Sequence, residues 1–129
     1  MPDTIYDSRF FFRTYAKDVN LKGRVQSELK TRGRKAISAI TIHEVYRIAL
    51  EEEGRDVAKL RKAAIERDFE IISVDSEIAA EAAEIKVSKG RDFPLADAII
   101  AATAKLTKLD CFTDDEHIKG VPAVRTRWF

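Results

Sequence analysis

The sequence predicts an α/β fold: a three-layer α/β/α sandwich around a central parallel sheet of about five strands. Three observations lead there. Five short apolar runs recur along the chain: "TIY" (4–6), "KAISAI" (35–40), "FEIISV" (69–74), "DCFT" (110–113) and "AVRT" (123–126). Stretches with helical patterning separate them, and strands joined through helices run parallel. No repeat, low-complexity segment or Gly/Ser/Pro-rich linker divides the 129 residues, which suffice for one domain, 1–129, with a real core.

The elements follow in order. After the brief strand 4–6, "FFFRTYA" begins a helix and "VNLKGRVQSELKTRG" (19–33) forms another, with Gly33 available as a cap. "KAISAI" reads as a buried strand. "TIHEVYRIALEEEG" (41–54) is a helix with Val45, Ile48 and Ala49 at 3–4 spacing, closed by Gly54. "RDVAKLRKAAIER" (55–67) is amphipathic, with Val57, Leu60 and Ala64 on one face. After the strand 69–74, "DSEIAAEAAEIKVSKG" is a helix that starts at Asp75 and stops at Gly90. Pro94 opens the next helix, a favoured first-turn position. The last two strands flank the short segment "EHIKG".

No apolar run approaches the ~20 residues of a membrane span. The N-terminus lacks the charged head and long apolar stretch of a secretory signal. The single cysteine, Cys111, has no internal partner for a disulfide, and the whole reads as cytoplasmic. Net charge is only +1, yet residues 1–62 hold 14 Lys/Arg against 9 Asp/Glu, and residues 63–129 hold 9 against 13. The densest basic stretch is "KTRGRK", Lys30 to Lys35. It reads either as a phosphate-attracting patch or as a solvated helix end whose cations suit the dipole.

Sites in parallel α/β sheets lie beyond the carboxyl ends of the strands. Asp7 follows the first strand directly, Glu44 lies in the first turn of the helix after the second, and Asp114 and Asp115 follow "DCFT". Topology alone brings these positions to one edge. Each acid also has a structural reading. Asp7 can cap the helix at "SRFFF", Glu44 can complete a capping box with Thr41, and Asp114 or Asp115 can cap "EHIKG". Asp75 reads as an N-cap. Asp97 is the hardest to explain structurally. It lies past the first turn of "PLADAIIAATAKL", a helix apolar on most sides, where a lone ionised acid costs several kcal/mol and wants a cation.

Together "YDS" after a short strand, "ISAITIHEVYRIA", "PLADAIIAATA" and "CFTDDEHIKGV" resemble the PIN domain family, and more closely its VapC-type toxin branch. The resemblance spans nearly the whole chain, and "PLADAIIAATA" is its most specific piece, followed by the T-x-D of "FTDD". It departs from the usual pattern at the short, polar first strand and at Arg9 and the three phenylalanines that follow. The resemblance places Asp97 with the other acids. It implies an endoribonuclease that leaves 5′-phosphate and 3′-hydroxyl ends. Asp7, Asp97 and Asp115 would bind metal. Glu44 would bind it directly or through water, or orient the attacking water. Ser8 and Thr113 would hold the acids by hydrogen bonds. Asp114 is the other candidate of its pair, the T-x-D pattern favouring Asp115. The resemblance also implies a homodimer and a cognate antitoxin that covers the site.

Four carboxylates held close repel, each pair at about 5 Å and an effective dielectric of about 20 costing roughly 3 kcal/mol. An oxygen-only set suits Mg²⁺ or Mn²⁺. A His/Cys zinc site has too few ligands: His43 is expected partly buried or near the rim, His117 at the surface and Cys111 in the core. Arg9, Arg13, Lys30, Arg32, Arg34 and Lys35 are the candidate guides for RNA. Three other readings compete. A non-catalytic PIN-like interaction module would have lost acids, yet all four stand here. A phospho-receiver domain needs adjacent acids after its first strand and a lysine after its last, where this chain has one acid and "RWF". A housekeeping RNA-processing nuclease shares every feature, and a small antitoxin gene directly upstream would separate it from a toxin.

Overall fold

A computed structural model describes residues 3–14 and 18–129, with the backbone alone at Arg13. The chain order is β1 (Thr4–Tyr6), α1 (Ser8–Thr14), α2 (Val19–Leu29), β2 (Lys35–Ser38), α3 (Ala39–Glu52), α4 (Arg55–Asp68), β3 (Glu70–Ile72), α5 (Ser76–Lys89), α6 (Leu95–Thr107), β4 (Asp110–Phe112), α7 (Glu116–Lys119) and β5 (Thr126–Arg127). The five strands form one sheet in the order β3-β2-β1-β4-β5, and every pairing is parallel. The chain winds outward from β1 through β2 to β3, then crosses to the other side of β1 for β4 and β5. The order therefore reverses between β1 and β4, and a crevice opens at their carboxyl ends.

Strand residues alternate between the two faces. Ile5, Ala36 and Cys111 point to one side and join Ile78, Ala82 and Ile85 of α5 and Ala98 to Ala102 of α6. Tyr6, Ile37 and Phe112 point to the other and join Phe10, Phe11, Val25, Val45 and Ile65 of α1 to α4. These are the two helical layers of the expected sandwich, and Cys111 is buried in the first. The aromatic run after β1 is core: Phe10 packs on Tyr6 and Phe112 at 4.7 and 5.5 Å between ring centroids. Among the described residues no helix is long and apolar enough to cross a membrane.

Caps agree with the sequence at Asp75, whose Oδ1 accepts from the Ile78 N–H at 2.9 Å. Gly54 and Gly90 end their helices at φ +94° and +110°, a region that suits glycine. Elsewhere the boundaries move. β2 stops at Ser38 rather than Ile40, because the Ser38 side chain accepts from the Ile40 N–H and starts α3 at Ala39. Thr41 is thus inside the helix, and Glu44 sits in its second turn, outside any capping box. The α2 helix ends at Leu29, four residues short of the predicted end, and β5 falls at 126–127 rather than 123–126. In α4 the core face is Ala58 and Ile65, not Val57, Leu60 and Ala64; Leu60 is 70% exposed. Tyr15 and Ala16, the end of the first predicted helix, lie outside the described residues.

Candidate active site

The crevice between β1 and β4 gathers the acids. Asp7, the first residue after β1, is 1% exposed. Its Oδ2 accepts from Thr113 Oγ1 at 2.5 Å, and its Oδ1 from Ser8 Oγ at 3.2 Å and the Arg9 N–H at 3.4 Å. Thr113 is fully buried after β4, and its Oγ1 also accepts from the Asp115 N–H at 3.0 Å. One threonine hydroxyl therefore fixes the strand ends that carry Asp7 and Asp115 relative to each other.

Asp115 is the N-cap of α7, its Oδ1 accepting from the His117 N–H at 2.8 Å. The capping and site readings thus fall on one residue. Asp97 lies in the first turn of α6, not beyond it, because the helix begins at Leu95 after Pro94. The first turn is where an acid gains from the helix dipole, and it turns this end of α6 toward the crevice. His117 Nδ1 is 3.3 Å from Asp97 Oδ2 and 3.1 Å from Asp115 Oδ1. Ligand atoms of Asp97, Asp115 and His117 lie within 4.8 Å of one another. From the opposite side Arg9 places Nε 3.0 Å from Asp114 Oδ1 and Nη1 3.5 Å from Asp115 Oδ2.

The sequence profile of the PIN domain matches residues 5–124, almost the whole chain. The chain belongs to the PIN domain family. Among solved structures, this PIN domain is similar to a chain of a toxin–antitoxin complex from Klebsiella pneumoniae, at 24% identity and a TM-score of 0.71, covering 95% of each chain. It is similar to a chain of DNA-bound VapBC from Salmonella typhimurium, at 20% identity and 0.78, covering 99% of this chain and 98% of that one. It is also similar to VapC20 of Mycobacterium tuberculosis, a sarcin–ricin-loop-cleaving toxin, at 17% identity and 0.76, covering 95% and 99%. No curated protein matches the chain.

The PIN fold brings mutually repelling charges together here. Asp97 is raised to about 7, by burial first and then by the charges of Asp115, Asp7 and Glu44, with His117 opposing. Asp7 is raised, first by burial, against the hydrogen bonds of Thr113, the Arg9 N–H and Ser8, with the Asp115 charge adding. Glu44 is raised by burial and by Asp7, and Ser8 beside it pulls the other way. Each acid feels the next, so the four form one electrostatic unit. Glu44 Oε1 is buried and has no hydrogen-bond partner among the described residues. A buried oxygen left open, beside carboxylates that resist ionising together, fits a divalent cation held by Asp7, Glu44, Asp97 and Asp115.

Other predicted residues lie apart. "KTRGRK" leads into the amino end of β2, whereas the acids follow the carboxyl ends of β1 and β4, so Lys30, Arg32, Arg34 and Lys35 lie toward the opposite edge of the parallel sheet. Arg34 is committed there: its N–H donates to Asp3 Oδ1 at 2.9 Å and its guanidinium pairs with Glu70. Lys35 donates to the Thr31 carbonyl. The Arg13 side chain lies outside the described residues. His43 is exposed rather than partly buried, on the wall of a groove between α3 and α4. His117 is exposed, as expected from the sequence, but its place beside Asp97 and Asp115 was missed. Its signal was the two-residue step from Asp115 on a short helix, which returns the imidazole to the acid that caps that helix.

Proposed function

We propose that this PIN domain is a Mg²⁺- or Mn²⁺-dependent endoribonuclease, a single nuclease domain over residues 1–129. In this reading it is the toxin of a VapBC-type pair, acts as a homodimer and is held inactive by a cognate antitoxin. The observation that carries the reading is the convergence of Asp7, Glu44, Asp97 and Asp115 on one crevice, with Asp97 raised to about 7 by burial and by its neighbours' charge. The structural likeness to toxin–antitoxin chains, one of them an RNA-cleaving toxin, supports it.

Asp7, Asp97 and Asp115 would hold the ion, with Glu44 Oε1 completing the shell or accepting a proton from the attacking water. The ion supplies, when bound, activation of that water and charge neutralisation at the phosphate. Thr113 and Ser8 each donate to one oxygen of Asp7 and so keep its carboxylate in one orientation. Arg9, with 42% of its side chain exposed, is the cation nearest the acids from the α1 side and is placed to meet an RNA phosphate.

A groove of about 780 Å³ between α3 and α4 supports the antitoxin part of the proposal. Ile42, Tyr46 and Leu50 line it with apolar surface, while His43, Arg47, Lys59 and Lys62 at its walls, with Glu66 as the one acid, suit a partner segment with apolar and acidic residues.

Cleavage of a labelled single-stranded RNA tests the activity. Cutting with Mg²⁺ or Mn²⁺, abolished by EDTA and by added antitoxin, is the expected result; metal-independent cutting would reject the mechanism. Arg9→Gln is expected to weaken RNA binding and reduce the slope of log K against log salt by roughly one. Charge reversal at Lys30 and Arg32, toward the far edge, is expected to leave both unchanged. A filter-binding titration over salt concentration reads the contrast.

A further inference from the structure

His117 has no part in the ion set proposed above, yet its ring is held where a ligand would be. The Asp115 cap holds the backbone of residue 117, whose side chain is 53% exposed and lies against Asp97 and Asp115. The buried ring of Phe93 packs on the imidazole edge to face, 5.5 Å between centroids at 74°. Nδ1 is set between two carboxylate oxygens from different elements, 3.1 Å from Asp115 and 3.3 Å from Asp97. Octahedral bonds of about 2.1 Å put neighbouring ligand atoms about 3 Å apart, so both separations are those of one coordination shell.

We propose that His117 Nδ1 is a nitrogen ligand of the divalent ion held by Asp97 and Asp115, and that it biases the site toward Mn²⁺ over Mg²⁺. The proposal rests on the metal-dependent reading above and refines its ion. Mg²⁺ keeps oxygen ligands and water, whereas imidazole suits transition ions, and Mn²⁺ is the one that carboxylates also accommodate. A shell of carboxylates with one imidazole therefore favours Mn²⁺, where an all-oxygen shell would discriminate little. The other arrangement these distances allow is an imidazole N–H that merely hydrogen-bonds the two acids and never touches the ion.

Electron spin-echo modulation of the Mn²⁺-loaded full chain, without RNA, separates the two. The wild type is expected to show the ¹⁴N coupling of a bound imidazole, and His117→Phe, which keeps a ring against Phe93, to lose it. In calorimetric titrations of the same proteins, His117→Phe should bind Mn²⁺ roughly tenfold more weakly while Mg²⁺ affinity changes by less than about twofold. Mn²⁺ bound at the acids, as shown by its loss in Asp97→Asn, but without ¹⁴N coupling would overturn the proposal and leave the nuclease reading standing. Equal losses of Mn²⁺ and Mg²⁺ affinity in His117→Phe would also overturn it. A wild type that takes up neither ion would overturn both.

Discussion

Asp97→Asn is expected to abolish RNA cleavage, by at least about a hundredfold, while making the metal-free protein more stable above neutral pH. Both effects have one cause. The Asp97 carboxyl is raised to about 7, by burial first and then by Asp115, Asp7 and Glu44. In an unfolded chain it titrates near 3.9. A carboxyl whose folded value lies above its unfolded one contributes stability that is complete below about pH 4 and lost as pH rises through 7. The loss in the metal-free wild type is on the order of 2–4 kcal/mol. Asparagine keeps the shape and carries no charge, so the variant escapes that loss. Thermal melts in EDTA from pH 4 to 8 should show the two proteins diverging as pH rises, with the variant ahead. Adding Mn²⁺ should raise the wild-type midpoint and leave the variant's nearly unchanged. A variant less stable than wild type at pH 8 in EDTA would mean that Asp97 serves the fold rather than an ion.

The sequence carried the outline of this site because strand order and helix patterning determine which residues leave the carboxyl edge of the sheet. Asp7 and Asp115 each follow a short buried strand, so their convergence needed only parallel topology. Asp97 needed more. Two helices, α5 and α6, lie between β3 and β4, and counting strands does not say which end of the second meets the crevice; only the likeness of "PLADAIIAATA" to the PIN family placed it. The acid then proved to lie in the first turn, since Pro94 is the cap and the helix begins only at Leu95. Glu44 illustrates a different failure. Thr41 and Glu44 match a capping box in sequence, but Ser38 caps α3 instead and Thr41 is buried inside the helix. The Lys30–Lys35 patch lies away from the acids for a topological reason. Linear charge density says nothing about which edge of a parallel sheet a segment meets, and this one precedes its strand. Arg9, a single basic residue before an aromatic run, reached the acids because it is the second residue of the helix that follows Asp7.

Glu28 to alanine is expected to destabilise the fold by about 3–5 kcal/mol, although Glu28 touches none of the site acids. No sequence pattern marked it. It is 7% exposed on α2, just before the basic run Lys30–Lys35. Its carboxylate pairs with Arg127 of β5 through both guanidinium nitrogens, accepts from the Tyr6 hydroxyl at 3.1 Å and lies 3.3 Å from Thr31 Oγ1. Arg127 also donates to Thr4 Oγ1 at 2.8 Å and lies 4.8 Å above the Phe112 ring. Thr4 and Tyr6 share one face of β1 by the two-residue alternation of a strand, so this cluster clasps α2, β1 and the edge strand β5 at once. Burial and the Glu28 charge both push the Tyr6 hydroxyl far upward, which keeps it a donor at any physiological pH. Removing Glu28 leaves a half-buried guanidinium and a buried phenol without their acceptor, and an orphaned charge is worse than none. The double substitution Glu28→Leu with Arg127→Met should therefore lose much less than the sum of the two single ones. Urea unfolding of the four proteins measures the coupling, with the double variant expected to lose about 2 kcal/mol or more less than the sum of the single losses. Additive losses would mean that the pair is held in place by the aromatic packing around it and contributes little of its own. Because Tyr6 immediately precedes Asp7, the singly substituted proteins should also show weaker Mn²⁺ binding, and the double variant should recover it along with stability. The end of β1 holds the first acid of the crevice only as firmly as this clasp holds β1.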